Sequence, residues 1–284
     1  MKAKVFSQIK KFRLQILLAL LAALYFLSAP RSEKSFATAL LNPKHKVQKI
    51  VLGNLEQGKL DLQKTGSFWL GQKNVADGKD LFFAIDSALV ESFLSVLKRL
   101  STVYEVSNTL NLKAYGLDEG GAFFLGLYDE MGKDVLTLHF GSVDSQRRLY
   151  FFVPKRNKIF SIDSEALAPY LSASENLWAS AEIFPKEIVG TDKKYRRGKL
   201  ATMGKQPLLA DGINWTGALE KDYDPGDGNI YRAFFLPKTD GDYYYRFKAQ
   251  PSAQRPGEEK EALKKINAVF NVSAWTFERV MEQE

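Results

Sequence analysis

Cysteine is absent from all 284 residues, and histidine occurs only at His45 and His139. The first absence excludes disulfide frameworks, Cys-type zinc sites, thiolate nucleophiles and the lipid-modified cysteine of a bacterial lipoprotein. The two imidazoles stand far apart, so there is no H-E-x-x-H helix, and no G-x-S-x-G elbow occurs either. Acid is missing from residues 1–30, which hold Lys2, Lys4, Lys10, Lys11 and Arg13. The formal charge of +7 is therefore mostly N-terminal: beyond those five, 35 basic residues face 33 acidic ones, a balance of +2. A folded part this close to neutral lacks the cationic bias of a nucleic-acid binder, so no nucleic-acid partner is expected. What the chain does have is 45% hydrophobic residues, enough for one or two packed domains.

One long apolar run follows the basic stretch. Leu14, Ile16, Leu17, Leu18, Leu20, Leu21, Leu24, Phe26 and Leu27 dominate it, and Gln15 is its only strongly polar side chain. As a helix it reaches roughly 20 Å, against a hydrocarbon core of roughly 30 Å. That length suits a secretory signal peptide. Cleavage chemistry opposes it, because the site ending at Ala29 has Leu27 two positions earlier and Pro30 just after, where a peptidase needs small residues. Residues 1–30 therefore read as an uncleaved signal anchor, with Lys11 and Arg13 snorkelling to the interface; a cleaved signal and a buried core helix are the alternatives. The basic flank holds the N-terminus in the cytoplasm and sends the rest across. The expected location is the inner membrane, single pass, with an extracytoplasmic C-terminal part and the lipid bilayer as a partner.

Residues 31–46 read as a stalk. A first α+β unit is expected over 47–185. It starts with a strand from Val47 and a hairpin, Leu60–Leu62 and Phe68–Leu70, turning at Gly66. A helix follows, capped by Asp86 or Ser87, with Leu89, Phe93, Val96, Leu97 and Leu100 on one stripe. After a strand at Val103 to Val106 comes a meander: Ala122–Tyr128, Val135–Phe140, Leu149–Val153 and Ile159–Ile162. Asp163 can cap a further helix. Residues 186–230, rich in glycine, read as a linker or surface loop, and 231–284 as a second, smaller α+β unit. Lys98 to Ser107 aligns without a gap on Lys264 to Ser273, with four identities, each after a hairpin and a helix. The expected fold is α+β: an N-terminal membrane helix followed by two related units of antiparallel strands with amphipathic helices.

Candidate chemistry is sparse. Asp222 to Asn229 has the carboxylate density of a calcium loop, but Gly226 falls at position 5 and Ala233 at position 12, so a polar turn is the reading. Gly190 to Lys199 fails as a phosphate loop, since Gly198 stands too far on and Leu200 replaces the Ser or Thr. His139 shares a face with Val135 and Thr137, alternating with Leu136, Leu138 and Phe140, and reads as an outward-facing strand residue. Lys193, Lys194, Arg196, Arg197 and Lys199, with Tyr195 among them, form the basic cluster of the folded part, a solvated loop or a contact for anions and lipid headgroups. Phe123-Phe124, Phe151-Phe152, Phe234-Phe235 and Tyr243-Tyr244-Tyr245 place rings on both faces of strands, so the second face needs a cover or a partner. No catalytic residue, metal ligand or cofactor is expected; Asp118-Glu119 and Glu258-Glu259 are acid pairs too common to carry weight without geometry.

The order of Phe68-Trp69-Leu70, the passage Leu97 to Val106, Tyr115-Gly116-Leu117-Asp118, Leu138-His139-Phe140-Gly141, Leu149 to Val153 and Ile159 to Asp163 resembles a bacterial envelope family, domain of unknown function 4340. The resemblance covers roughly residues 47–185. It implies one N-terminal membrane segment, an extracytoplasmic α+β domain and association with gliding-motility-type ABC transporter systems, with no catalytic residues to carry over. The expected function is a membrane-anchored, non-enzymatic accessory or scaffold protein whose partners are ABC transporter subunits. The alternatives are an envelope glycan or peptide hydrolase using paired carboxylates, and a lipid- or sugar-binding module between the two units, lined by rings such as Trp69, Trp215 or Tyr244.

Overall fold

Strands with strict side-chain alternation come to lie side by side when their apolar faces share one core. The computed structural model describes residues 40–75, 78–100, 103–107, 111–190, 195–226 and 228–282. The anchor residues Leu14 to Leu27, together with Lys193 and Lys194, lie outside them. Among the described residues no helix is long and apolar enough to cross a membrane.

The fold is mixed α and β, mostly antiparallel sheet with few helices. The larger sheet is formed by β1 (Lys49–Asn54), β2 (Gly58–Thr65), β3 (Phe68–Asn74), β4 (Asp80–Ala84), β5 (Tyr104–Ser107), β6 (Phe123–Tyr128), β7 (Asp134–Val143), β8 (Arg148–Val153) and β9 (Lys158–Asp163). Its nine strands run in the order β4-β3-β2-β1-β6-β7-β8-β9-β5. Two meanders are thus joined at a β1–β6 seam, where Ile50 faces Leu127 and Leu52 faces Leu125. One face is the core. Ile50, Leu52, Leu60, Leu62, Leu125, Leu127 and Leu138 are fully buried on it, continued by Phe140, Phe151 and Phe160, whose rings follow one another at 5.8 and 5.6 Å. Helix α1 (Ser87–Arg99) covers this face with Val90, Phe93, Leu94 and Leu97, and Asp86 caps it by accepting from the Ala88 and Leu89 N–H groups. The chain after α1 reaches the far edge, where β5 pairs with β9.

Sequence alternation located the hairpin, α1 and the meander, but not β4. Its run Asp-Leu-Phe-Phe-Ala is apolar on both faces, because Leu81 and Phe83 enter the core while Lys265 lies over the Phe82 ring. Gly71 makes room for it: a β-carbon there would meet the Phe83 ring at 2.7 Å.

The smaller sheet has the order β12-β13-β14-β15, from β12 (Leu219–Tyr223), β13 (Ile230–Pro237), β14 (Tyr243–Gln250) and β15 (Phe270–Val272). The short ribbon β10 (Thr202–Met203) and β11 (Gln206–Pro207) precedes it. Part of the Gly-rich segment 186–230 is therefore sheet, and Leu200, Ala201 and Ala210 within it are buried. Helix α2 (Gly257–Lys265) links β14 to β15, and the end of the chain is a helix, α3 (Ala274–Met281), whose Phe277 stacks on Tyr243 at 4.0 Å. The expected repeat of hairpin, helix and strand differs in its two copies: β4 stands between the β2–β3 hairpin and α1, and β5 pairs with β9, whereas α2 follows the β13–β14 hairpin and β15 pairs with β14.

The two sheets meet at the outer edge of β4. Asn267 accepts from the Phe82 N–H at 2.8 Å and donates to the Asp80 carbonyl at 3.0 Å, while the Asn267 and Ala268 N–H groups both donate to the Phe82 carbonyl. Ser180 N–H donates to the Ala84 carbonyl further along. A sheet edge that would otherwise template aggregation is thus closed by the second half of the chain. A second joint is ionic. Glu259 accepts from the Ser67 N–H at 2.8 Å and from Arg255 at 2.7 Å, and Arg255 also donates to the Tyr231 hydroxyl at 2.7 Å.

Candidate binding site

The second face of the larger sheet is built by the residues that alternate with the core. Register places Lys59, Gly53, Phe124, His139, Phe152 and Ile159 in one row across β2, β1, β6, β7, β8 and β9. The His139 ring stands edge-on to both phenyl neighbours, 5.6 Å from Phe124 and 6.2 Å from Phe152. Val51 and Gly53 continue the floor. At Gly53 a β-carbon would stand 2.3 Å from the Gly58 carbonyl, so the β1–β2 turn closes down only over a glycine.

Residues 111–122 form one wall. Leu112–Tyr115 is a single 3₁₀ turn ended by Gly116, which has φ +66°. The turn is docked on β7: the Ser142 hydroxyl donates to the Tyr115 carbonyl at 3.0 Å, and the Tyr115 ring lies 4.9 Å from that of Tyr150. The segments Tyr115 to Asp118 and Leu138 to Gly141 are brought into contact here. With the β1–β2 turn opposite, the wall encloses an open trough of about 980 Å³. Its floor is apolar, from Val51, Phe124 and Phe152, and its lip carries Asn111, Lys113, Asp118 and Glu119. Leu55, 80% exposed, stands at its mouth.

His139 is the trough's titratable floor residue. Partial burial between the phenyl rings holds its pKa below the usual 6.5, because the imidazolium would lose hydration and gain no acceptor among the described residues. It faces outward from β7, as its alternation indicates, yet the trough shelters it. The signal in the sequence was the shared parity of Phe124, His139 and Phe152; the covering wall was not readable.

The other candidate residues are placed as follows. Arg197 turns inward: its Nε donates to the Ser180 carbonyl, Nη1 donates to the Gly198 carbonyl at 2.6 Å, and the guanidinium lies 3.6 Å from the Phe270 ring centre. Burial pushes its pKa down to about 10. Arg196 and Lys199 are exposed. Trp69 is buried in the core, whereas Trp215 and Phe234 flank Arg246, whose guanidinium lies 4.3 and 4.5 Å from their ring centres. Of the acid pairs, Asp118-Glu119 sits on the trough lip, while Glu259 is held by Arg255 with 8% of its side chain exposed. Among the described residues no group of three or more His, Asp or Glu side chains is arranged to hold a metal ion. No family model matches the chain, nor does any curated protein or solved structure.

Proposed function

We propose that this chain is a membrane-anchored, extracytoplasmic accessory protein that works by binding, with the trough on the larger sheet as its working surface and an envelope ABC transporter as its setting. The trough is the observation that carries the reading. A sheet face with Phe124 and Phe152 left under an open mouth is surface that an occupant would bury, and the trough's volume lies at the upper end of small-molecule sites. The anchor rests on the apolar run Leu14 to Leu27 behind five cationic residues, and the transporter setting on the resemblance of residues 47–185. The test is to take tagged full-length protein through an alkaline carbonate wash, solubilise it in mild detergent and identify what co-purifies. Retention in the membrane with transporter subunits at near-stoichiometric amounts supports the reading. Release by the wash overturns the anchor, and retention without subunits overturns the transporter setting.

A further inference from the structure

We infer that the trough takes the hydrocarbon chain of a zwitterionic amphiphile, with the head group's ammonium at Asp118 and Glu119 and its anionic group at Lys113. The floor argues for hydrocarbon. Its strands already pair on both sides through β2, β1, β6, β7 and β8, so the floor is a sheet face and offers no free backbone edge. An extended peptide laid on Phe124 and Phe152 would have its own N–H and C=O groups desolvated without partners, whereas an alkyl chain carries none. From Gly53 to Phe152 the floor crosses three strand spacings, about 14 Å, so a linear chain fits along it.

The lip argues for the head group. Lys59 is committed to Asp61 at 3.0 Å, which also holds Lys49 at 2.9 Å. Lys113, Asp118 and Glu119 are exposed on one loop, with no ion pair among the described residues. A cation beside two anions, none of them paired among the described residues, complements a ligand carrying both signs, not a purely anionic one.

The chain's two histidines make the test site-specific. Full-length protein carrying ring-13C histidine is placed in phosphatidylglycerol nanodiscs and titrated with a lysophosphatidylethanolamine. A saturable shift of the His139 ring signals with His45 unmoved is expected, and Lys113→Glu raises the half-saturation concentration at least about threefold. The proposal is overturned if His139 stays still, if both histidines move together, or if lysophosphatidylglycerol or a monoacylglycerol gives the same response. The inference rests on the trough being the working surface and not on the transporter setting. A flat titration beside successful co-purification therefore refutes the ligand class alone.

Discussion

The carbonyl oxygen of Tyr115 lies 2.1 Å from the point where a β-carbon on Gly141 would stand. The contact is backbone against backbone, so no rotamer change relieves it, and Gly141 is what lets the 112–117 turn seat on β7. Gly141→Ala should lower stability by about 1–3 kcal/mol, the usual range for overpacking. It should also loosen the trough wall. Urea denaturation gives the first, and faster amide exchange over residues 112–118 the second; unchanged exchange there would mean that the wall does not depend on this contact.

Asn267 serves β4 as a short piece of neighbouring strand, accepting at Phe82 and donating at Asp80. Asn267→Ala leaves both backbone groups without that partner and should cost about 1–3 kcal/mol. Asn267→Asp keeps the acceptor for the Phe82 N–H but sets a carboxylate oxygen against the Asp80 carbonyl, so it should recover little of the loss at neutral pH, which the urea midpoints of the two variants would show.

His139 makes stability depend on pH. Its folded pKa lies below the unfolded value near 6.5, so the unfolded chain binds the extra proton first as pH falls. The contribution is fully present above pH 6.5 and is lost as pH drops through that value toward the folded one. Urea midpoints measured from pH 7.5 down to 5 should fall more steeply for the native chain than for His139→Phe. Parallel profiles would show that the imidazole is as well hydrated folded as unfolded.

Glu259 titrates with the same consequence through the opposite balance. Burial raises its pKa, but Arg255 and the Ser67 N–H outweigh burial and hold it below the usual 4.5. Stability is therefore present above about pH 4.5 and lost as pH falls through the lowered value. Glu259→Gln leaves Arg255, 10% exposed, without its counter-ion and should destabilise by about 3 kcal/mol at neutral pH.

The basic cluster divides in two. Arg197→Ala removes the donors to the Ser180 and Gly198 carbonyls and uncovers Phe270, so a loss of about 2 kcal/mol is expected. Arg196→Ala and Lys199→Ala, both exposed, should stay within about 0.5 kcal/mol. Thermal melts of the three variants separate the structural arginine from the solvated cations.

Local order was legible where one residue carries the signal. Gly66 turns the β2–β3 hairpin at φ +58°, Asp86 caps α1, and the alternation around Leu125, Leu138 and Phe151 sets the meander. The final segment from Ala274 was too short for periodicity to decide, and Ser273, accepting from the Thr276 N–H, resolves it as a helix. Strand order was beyond reach, because β1 has apolar neighbours on both sides and nothing in Lys49–Asn54 names β6 as the second of them. The trough was half legible: parity assigns Phe124, His139 and Phe152 to one face, but the wall depends on Gly116 and Gly141 meeting across more than twenty residues.

The place of β5 has a kinetic meaning. Tyr104–Ser107 emerges directly after α1, but its partner strand begins only at Lys158. As the chain is made from its N-terminal end, β5 waits for four later strands before it can pair, holding open a loop whose closure costs entropy and slows the search. The half-sheet β4-β3-β2-β1 can assemble early from near neighbours. The pairing of β5 with β9 completes the larger sheet, and variants at Tyr104 or Ser161 should act on the rate of that step more than on anything that precedes it.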